Sequence, residues 1–309
     1  MTAIIIYAII SFVFLLERNI INMILEIIKT VILGIVEGIT EWLPISSTGH
    51  LILVGEFLKL DQSEDFKEMF DVVIQFGAIL AVVVIFWKKL WPFGSKDNAH
   101  PLNNTPFGKM IKTDIFKMWF KVLAACIPAA VIGLACDDWI DEHFYNPWTV
   151  AIALIVFGIA FIVVENWNKN RKPKINSISE LTLTAALIIG AFQVIAAIFP
   201  GTSRSGATIV GALLIGISRS VAAEFTFYLA VPVMFGASLL KLVKFGFDFT
   251  GSELAVLFIG CAVAFAVSVF VIKFLMDYIK KHDFKVFGWY RIVLGILVIA
   301  YFGIKALAK

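Results

Sequence analysis

The sequence predicts an all-α polytopic membrane protein built from two inverted repeats, each a re-entrant helical hairpin followed by three transmembrane helices. This prediction rests on composition, on the order of the apolar segments and on the charges of the segments between them. Of the 309 residues, 60% are hydrophobic and only 16% are charged, and the mean hydropathy is +0.92. Ordinary soluble domains carry about 25% charged residues. The chain is therefore expected in a lipid bilayer.

The first half of the chain contains five apolar elements. A helix over 24–43 ends at Pro44, because proline cannot continue a helix, and a short apolar segment follows at 51–58. Three longer segments come next, and each approaches the roughly 20 apolar residues that a bilayer crossing needs. These predicted spans lie at 70–87, 118–136 and 148–165.

The second half repeats this order. A helix over 180–199 ends at Pro200, a short segment follows at 205–217, and the spans lie at 221–243, 252–276 and 285–306. Pro200 follows Pro44 by 156 residues, and the same offset pairs Glu37 with Gln193, Ser46 with Thr202 and Ser47 with Ser203. The order and the pairs together predict an internal duplication.

The duplication divides the chain into four parts. They are an apolar extension at 1–22, a first repeat at 23–166, a basic linker at 167–179 and a second repeat at 180–309. Met23 is an alternative first residue. We expect the repeats to form one membrane domain.

Charged residues in the connecting segments predict the orientation. Basic residues concentrate on the cytoplasmic side of membrane proteins, and here they fall at Lys88, Lys89, Lys96, Lys109, Lys112, Lys117, Lys121, Lys169, Arg171, Lys172, Lys174, Lys280, Lys281 and Lys285. The connection between the second and third spans is acidic, with Asp137, Asp138, Asp141 and Glu142, and is expected outside. These sides agree only if neither hairpin crosses the membrane. The halves are then inverted, and the hairpin tips meet near the midplane.

A polar motif, E-G-I-T-E-W-L-P-I-S-S-T-G-H, occupies Glu37–His50 at the first predicted tip. Glu37 and Glu41 are one helical turn apart, so their carboxylates share a helix face. After Pro44 come Ser46, Ser47, Thr48, Gly49 and His50. Ionisable side chains within a bilayer cost about 2.5–3.5 kcal/mol each on insertion scales and by default indicate function.

The second tip, P-G-T-S-R-S-G-A-T at Pro200–Thr208, predicts an oxyanion site. Arg204 supplies a permanent cation whose planar guanidinium matches phosphate oxygens. The hydroxyls of Thr202, Ser203 and Ser205 are donors, and Gly201 lets the backbone approach a ligand closely. The N-terminus of the following short helix adds free N–H groups.

A net charge of +3, distributed among loops, provides no basic surface of the kind that binds nucleic acid.

The two tips together predict phosphoryl transfer to water on a lipid phosphate. Glu37 and Glu41 beside an anion indicate either a divalent cation, Mg²⁺ or Ca²⁺, or a general acid and base. Ser47 and His50 are a nucleophile and its base, or His50 itself attacks phosphorus. Sequence alone leaves both alternatives open.

These motifs resemble those of the undecaprenyl-pyrophosphate phosphatase family, also called the bacitracin-resistance family. The resemblance extends from about Met23 over nearly the whole chain and includes F-D-V-V-I-Q at Phe70–Gln75. It implies a bacterial inner-membrane enzyme that cleaves the terminal phosphate of a C55 isoprenyl diphosphate, uses a divalent cation, opens its pocket to the outer face and forms homodimers. It also implies essential roles at the positions of Glu37, Glu41, Ser47, His50 and Arg204. Substrate contacts are expected from Ser46, Thr48, Gln75, Gly201, Thr202, Ser203, Ser205 and Thr208.

Inverted repeats with broken helices are also a transporter architecture, so a transporter or flippase for a phosphorylated polyprenyl lipid is the alternative function. A transporter needs an anion site but no nucleophile, which favours the enzyme. Arg291, near a predicted cytoplasmic end, is interpreted as a membrane anchor, and Gln193 as either a helix bridge or a site residue.

Overall fold

The computed structural model describes residues 2–94 and 98–308, and this part of the chain is mainly helical. Helices α1 to α11 run over Thr2–Thr40, Ser47–Phe57, Glu64–Ile85, Trp87–Leu90, Thr113–Phe144, Pro147–Asn168, Leu183–Ile198, Arg204–Leu214, Arg219–Phe245, Gly251–Tyr278 and Lys285–Leu307. The described residues form isolated β-bridges, such as Phe93 with Ile111, but no strand. The predicted all-α class is confirmed.

Six of the described helices are long and apolar enough to cross a bilayer. They are α3, α5 over Thr113–Cys136, α6, α9, α10 and α11, and each offers at least 22 residues for the crossing. They occur at the positions of the six predicted spans, with ends that differ by a few residues. The prediction of a multi-pass membrane protein is therefore confirmed.

Two predicted boundaries are wrong. The acidic connection before the third span belongs to the C-terminal turns of α5, which continues to Phe144. Lys117 and Lys121, predicted in a basic loop, lie in the same helix near its start. These six charged residues interrupt the hydropathy of the segment without breaking the helix, because Asp, Glu and Lys all tolerate helical backbone.

Helix α1 starts earlier and ends sooner than predicted. It runs without interruption through Met23, so the predicted border between extension and first repeat coincides with no break in secondary structure. It ends at Thr40, and residues 41–45 form a turn. The ring of Pro44 disfavours helical backbone at Leu43. The chain therefore leaves the helix before it reaches the proline.

Packing follows the pairs that a twofold repeat requires. Helix α1 packs on α10, and the helix that corresponds to α1 in the second repeat, α7, packs on α5. The corresponding helices α3 and α9 pack on each other, as do α6 and α11. Glycine permits the closest of these contacts. A Cβ on Gly190 would lie 2.2 Å from the Ala125 carbonyl oxygen, and a Cβ on Gly158 would lie 2.7 Å from that of Gly288. Small residues at such crossings are the usual means of close helix packing in membranes. The inverted orientation of the repeats stays a prediction.

Two half-helices of 11 residues, α2 and α8, begin inside the helical bundle. Helix α8 is buried along almost its whole length, between α6, α7 and α9. Helix α2 lies beside α1 and α6. The N-termini of both half-helices follow the two Pro-containing turns, which are the predicted hairpin tips. The fold therefore brings the polar motifs to helix starts within the protein.

The crossing of α6 and α11 gives a stability prediction. In Gly158→Val, the new side chain must displace the Gly288 backbone and Ile292, which a Cβ at this position would approach to 2.7 and 2.8 Å. Overpacking of this kind costs about 1–3 kcal/mol. We expect a lower melting temperature in detergent, measured by intrinsic fluorescence. Gly133→Val is the matched control, because a Cβ there meets nothing within 4 Å. Equal melting temperatures for the two variants would contradict the tight crossing.

Candidate active site

The two tips meet through an ion pair between the repeats. Arg204 donates from Nη2 to Oε1 of Glu41 over 2.9 Å, and the two side chains are only 13% and 8% exposed. Arg204 also donates from Nη1 to the carbonyl oxygen of Thr226 at 3.1 Å. A charge pair at this depth is tolerated because each partner neutralises the other and hydrogen bonds satisfy the remaining atoms. The predicted contact between the two motifs is therefore present.

Glu41 also accepts a hydrogen bond from a serine. Its Oε2 lies 2.8 Å from Oγ of Ser47, the first residue of α2, and both residues are buried. One carboxylate thus holds a hydroxyl on one oxygen and a guanidinium on the other. A carboxylate within 2.8 Å of a hydroxyl is in the range required for removal of its proton.

Serines cap both half-helices in the same unusual conformation. Ser46 has φ +75° and accepts from the Gly49 N–H at 3.2 Å, and Ser203 has φ +68° and accepts from the Gly206 N–H at 3.2 Å. Positive φ is unfavourable for residues other than glycine, and such strain concentrates at functional sites. Ser203 follows Ser46 by 157 residues, because Gly201 adds one residue to the second tip.

The predicted pairing of Ser46 with Thr202 and of Ser47 with Ser203 is therefore wrong at the tips. By cap position, Ser203 is the counterpart of Ser46, and Arg204 is the counterpart of Ser47. The catalytic hydroxyl candidate and the cation consequently stand at the same place, the first residue of each half-helix.

Arg291 joins the two tips, and its interpretation as an anchor is wrong. It is fully buried on α11. Its Nη1 donates to the Pro44 carbonyl at 3.2 Å, and its Nη2 donates to those of Gly201 and Thr202 at 2.9 and 2.6 Å. The sequence predicts that Arg291 lies near a helix end, and no local pattern indicates that it would bond to both tips. Isolation of an arginine in an apolar span was the available signal.

His50 faces α11 rather than Ser47. Its Nδ1 lies 2.7 Å from the carbonyl oxygen of Ser46, and its Nε2 lies 2.7 Å from the hydroxyl of Tyr290, whose ring is stacked on the imidazole. A carbonyl only accepts, so Nδ1 carries a proton, and in the neutral ring Nε2 accepts from Tyr290. The structure does not bring His50 and Ser47 together as a base and nucleophile pair, because Ser47 donates to Glu41 instead.

Several buried polar atoms around the tips have no hydrogen-bond partner within the described part of the chain. They are both carboxylate oxygens of Glu37, both amide atoms of Gln193, Oγ1 of Thr202, Nε1 of Trp42 and Nε of Arg291. Leaving a buried polar group unpaired costs about 1–3 kcal/mol. Such a concentration at the junction of both repeats indicates a site that a polar ligand, water or an ion completes.

Glu37 fits a divalent cation. Its two oxygens are buried and unpartnered, and Mg²⁺ and Ca²⁺ take oxygen ligands. Glu41 offers less, because Ser47 and Arg204 already occupy its oxygens. The described residues contain no cluster of three His, Cys, Asp or Glu side chains. A cation at Glu37 would thus need phosphate oxygens or water to fill its coordination.

The remaining predicted site residues divide into two groups. Gly201 and Ser205 belong to the tip junction, where Ser205 Oγ lies 3.1 Å from Ser203 Oγ and 3.4 Å from the Glu41 carbonyl oxygen. Thr48 is half-buried in the first turn of α2. Thr208 and Gln75 are engaged elsewhere: Thr208 bonds Thr226 and its own helix, and Gln75 donates to the Asp71 carbonyl at 3.4 Å. Substrate contacts from these last two stay predictions.

The fold and the site define a class of integral membrane protein, in which the starts of two half-helices bring together a cation, a carboxylate and a hydroxyl inside a helical bundle. Residues 30–297 match the sequence profile of the family described as "Bacitracin resistance protein BacA". The chain therefore belongs to the BacA bacitracin-resistance family.

Individual relatives agree over almost their full length. The chain is 62% identical over 282 residues to an undecaprenyl-diphosphatase of Desulfitobacterium hafniense, which covers 91% of this chain and 98% of the relative. It is also 62% identical over 275 residues to an undecaprenyl-diphosphatase of Enterococcus faecalis, which covers 89% and 96%. A protein of Clostridium acetobutylicum named undecaprenyl-diphosphatase 1 shows 62% identity over 278 residues, covering 90% and 98%.

The role of Arg291 gives a prediction for Arg291→Lys. Lysine keeps the charge but lacks the rigid fork that reaches carbonyls in both tips. At least one of the three carbonyls would lose its donor, at about 1–3 kcal/mol for each buried acceptor. We expect a lower melting temperature in detergent. Arg18→Lys, at an exposed position of α1, is the control and should melt like the native chain. An unchanged melting temperature for Arg291→Lys would refute a joining role.

Proposed function

We propose that this protein is an integral membrane phosphatase that hydrolyses undecaprenyl diphosphate to undecaprenyl phosphate and inorganic phosphate. The names of its relatives support this substrate, and membership of the BacA family supports a part in bacitracin resistance and in cell-wall synthesis. The observation that carries the proposal is the Glu41 carboxylate, which holds the Ser47 hydroxyl at 2.8 Å and the Arg204 guanidinium at 2.9 Å. A carboxylate, a hydroxyl and a cation are the groups that phosphoryl transfer requires.

The phosphate group is bound where the half-helices begin. Arg204 offers a planar guanidinium that exchanges part of its contact with Glu41 for phosphate oxygens. The first N–H groups of α2 and α8 have no intrahelical partners, and the positive ends of the helix dipoles point to the same place. Preorganised donors of this kind stabilise the charge that builds up in the transition state.

Ser47 is the proposed nucleophile, and Glu41 is its base. Glu41 takes the hydroxyl proton as Ser47 Oγ attacks the terminal phosphorus. The bond from this phosphorus to the bridging oxygen breaks, and undecaprenyl phosphate leaves. Glu41 passes the proton that it took from Ser47 to the departing undecaprenyl phosphate. Water then attacks the phosphoserine and gives a proton to Glu41, which returns it to Ser47 Oγ as the serine–phosphorus bond breaks and inorganic phosphate is released. His50 is less suited as the nucleophile, because its Nε2 is bound to Tyr290 and its Nδ1 to Ser46.

A divalent cation is proposed at Glu37. Its buried, unpartnered oxygens support this role. When bound, such an ion neutralises phosphate charge and polarises the phosphorus–oxygen bonds. Glu37 would hold the ion together with substrate oxygens, while Glu41 stays with Ser47 and Arg204.

Access is proposed from the face at which α1, α2 and α3 enclose a cavity of about 180 Å³. Its lining combines Leu33, Leu51, Leu58 and Leu60 with Lys59, Lys67, Glu64 and Asp71, and Lys67 pairs with Glu64 at 2.9 Å. Apolar walls suit an isoprenoid chain, and Lys59 suits a diphosphate. By the predicted orientation this face is the outer, periplasmic side of a bacterial inner membrane. A homodimer is part of the same proposal, on the family resemblance.

A transporter for a phosphorylated polyprenyl lipid is the second candidate. The paired packing of α1 with α10 and of α7 with α5 favours it, since duplicated frames around a midplane site are typical of transporters. Transport needs no hydroxyl held by a carboxylate, so the Ser47–Glu41 contact favours hydrolysis. Lipid translocation in vesicles without phosphate release would reverse this preference.

Phosphate release from C55 isoprenyl diphosphate by the purified chain tests the nucleophile. Ser47→Ala and Glu41→Gln should each lower the rate by about 10²–10⁴-fold, the usual contribution of a catalytic acid–base group. Ser179→Ala and Glu142→Gln, at exposed positions, are the matched controls. Brief reaction with terminally labelled substrate followed by acid quench should leave label on Ser47. Full activity of Ser47→Ala, with label on His50, would identify the histidine as the nucleophile.

If Glu37 holds the cation, its substitution should change the cation dependence of the rate, which distinguishes it from loss of the base Glu41. EDTA should abolish phosphate release by the native chain, and added Mg²⁺ or Ca²⁺ should restore it. Glu37→Gln should raise the cation concentration required for half-maximal rate by about tenfold, because one anionic ligand is lost. Glu41→Gln should stay slow at every cation concentration. Undiminished release in EDTA would exclude the proposed cation.

A further inference from the structure

A second, strongly basic cavity lies at the C-terminal end of α8, opposite the end that carries Arg204. It has a volume of about 880 Å³ and is bounded by the ends of α6, α8 and α10, by the start of α9 and by the loop over 169–174. None of its lining residues belongs to the tips. The catalytic proposal uses no part of this cavity.

Cations dominate the lining. They are Lys169, Arg171, Lys172, Lys174, Arg219 and Lys280, against the single carboxylate of Glu165. Glu165 is buried and fully engaged, because Arg219 binds both its oxygens and the Phe284 N–H donates to one of them at 3.0 Å. Lys280 pairs with Asp277 at 2.8 Å. Glu165 therefore neutralises Arg219 and leaves the loop cations uncompensated.

Four loop cations are available for a ligand. Lys169, Arg171, Lys172 and Lys174 are exposed, and none has a carboxylate within salt-bridge distance among the residues that the structure describes. Asn168 caps the end of α8 by donating to the Leu213 carbonyl at 2.9 Å, which removes one acceptor that would oppose an anion. The charged donors of the cavity that are free of a carboxylate thus come from this loop.

The other wall of the cavity is apolar and lies at the membrane interface. Its accessible residues are Leu214, which is 48% exposed, and the half-buried Ile215, and behind them Leu213, Ile217 and Ile279 are buried. Arg171 stacks on the exposed ring of Trp167 at 4.0 Å, one residue before α6 ends. Tryptophan with arginine at the end of a transmembrane helix is typical of the headgroup level of a bilayer.

We propose that this cavity binds the headgroup of an anionic phospholipid. Loop cations meet the phosphodiester, and Leu214 and Ile215 meet the upper acyl chain. Basic pockets between transmembrane helices at the cytoplasmic side suit anionic headgroups. A free phosphate would use the cations but not the apolar wall, so the combination favours a lipid. The inference is independent of the proposed hydrolysis.

Native mass spectrometry of the full chain in neutral detergent tests this site. Phosphatidylglycerol is titrated against phosphatidylcholine. A lysine near an anionic surface contributes about fivefold in affinity, so Lys169→Gln/Lys172→Gln/Lys174→Gln should weaken phosphatidylglycerol binding at least about tenfold and leave phosphatidylcholine binding unchanged. Lys88→Gln/Lys109→Gln/Lys112→Gln has the same change in charge, lies outside the cavity and should bind like the native chain.

A second variant covers the case in which loss of three loop lysines disturbs folding. Leu214→Glu places a carboxylate on the exposed apolar wall and should also reduce phosphatidylglycerol binding selectively. Equal losses in the two triple variants, or no preference of the native chain for phosphatidylglycerol, would overturn the proposal. Complete displacement of the lipid by millimolar glycerol phosphate would overturn it as well, because the cavity would then be a site for soluble phosphate.

Discussion

The structure depends on how irregular backbone is satisfied inside a membrane protein. Both tips leave helical geometry around a proline, and carbonyl groups at such depth cannot use water. Arg291 supplies the donors: one guanidinium reaches the Pro44 carbonyl in one repeat and those of Gly201 and Thr202 in the other. Gly206 leaves room for it, because a Cβ there would lie 2.6 Å from Nη1 of Arg291. The half-helices can then begin side by side.

Charge compensation follows from this joint. Once the tips are adjacent, Arg204 and Glu41 can pair across the repeats, and the pair holds Ser47 through the second carboxylate oxygen. Strained serine caps at φ +75° and +68° persist because both tips are fixed by packing and hydrogen bonds. Unpartnered oxygens on Glu37 and Thr202 remain next to this arrangement. A rigid, incompletely satisfied polar site is what substrate binding requires.

Duplication explains why unlike groups meet. Each repeat provides a proline, a serine cap and an 11-residue half-helix, so the backbone is similar on both sides. The first helical residue is a serine in one repeat and an arginine in the other. Glu37 in the first repeat corresponds in sequence to Gln193 in the second. The frame is nearly symmetric, whereas the chemistry is asymmetric. One repeat supplies the carboxylates and the serine hydroxyl, and the other supplies the guanidinium.

Sequence by itself determined the all-α membrane class, the six spans and the chemistry of both tips, because hydropathy, proline and intramembrane charge are local properties of the chain. It also predicted that the two tips would meet, and the Glu41–Arg204 ion pair joins them. Tertiary structure decided the rest. Arg291 and Tyr290 form hydrogen bonds with residues more than 80 positions away in the sequence. The single extra residue at Gly201 makes Ser203, rather than Thr202, the structural counterpart of Ser46. Whether Ser47 bonds Glu41 or His50 depends on side-chain distances of less than 3 Å, which only packed helices fix.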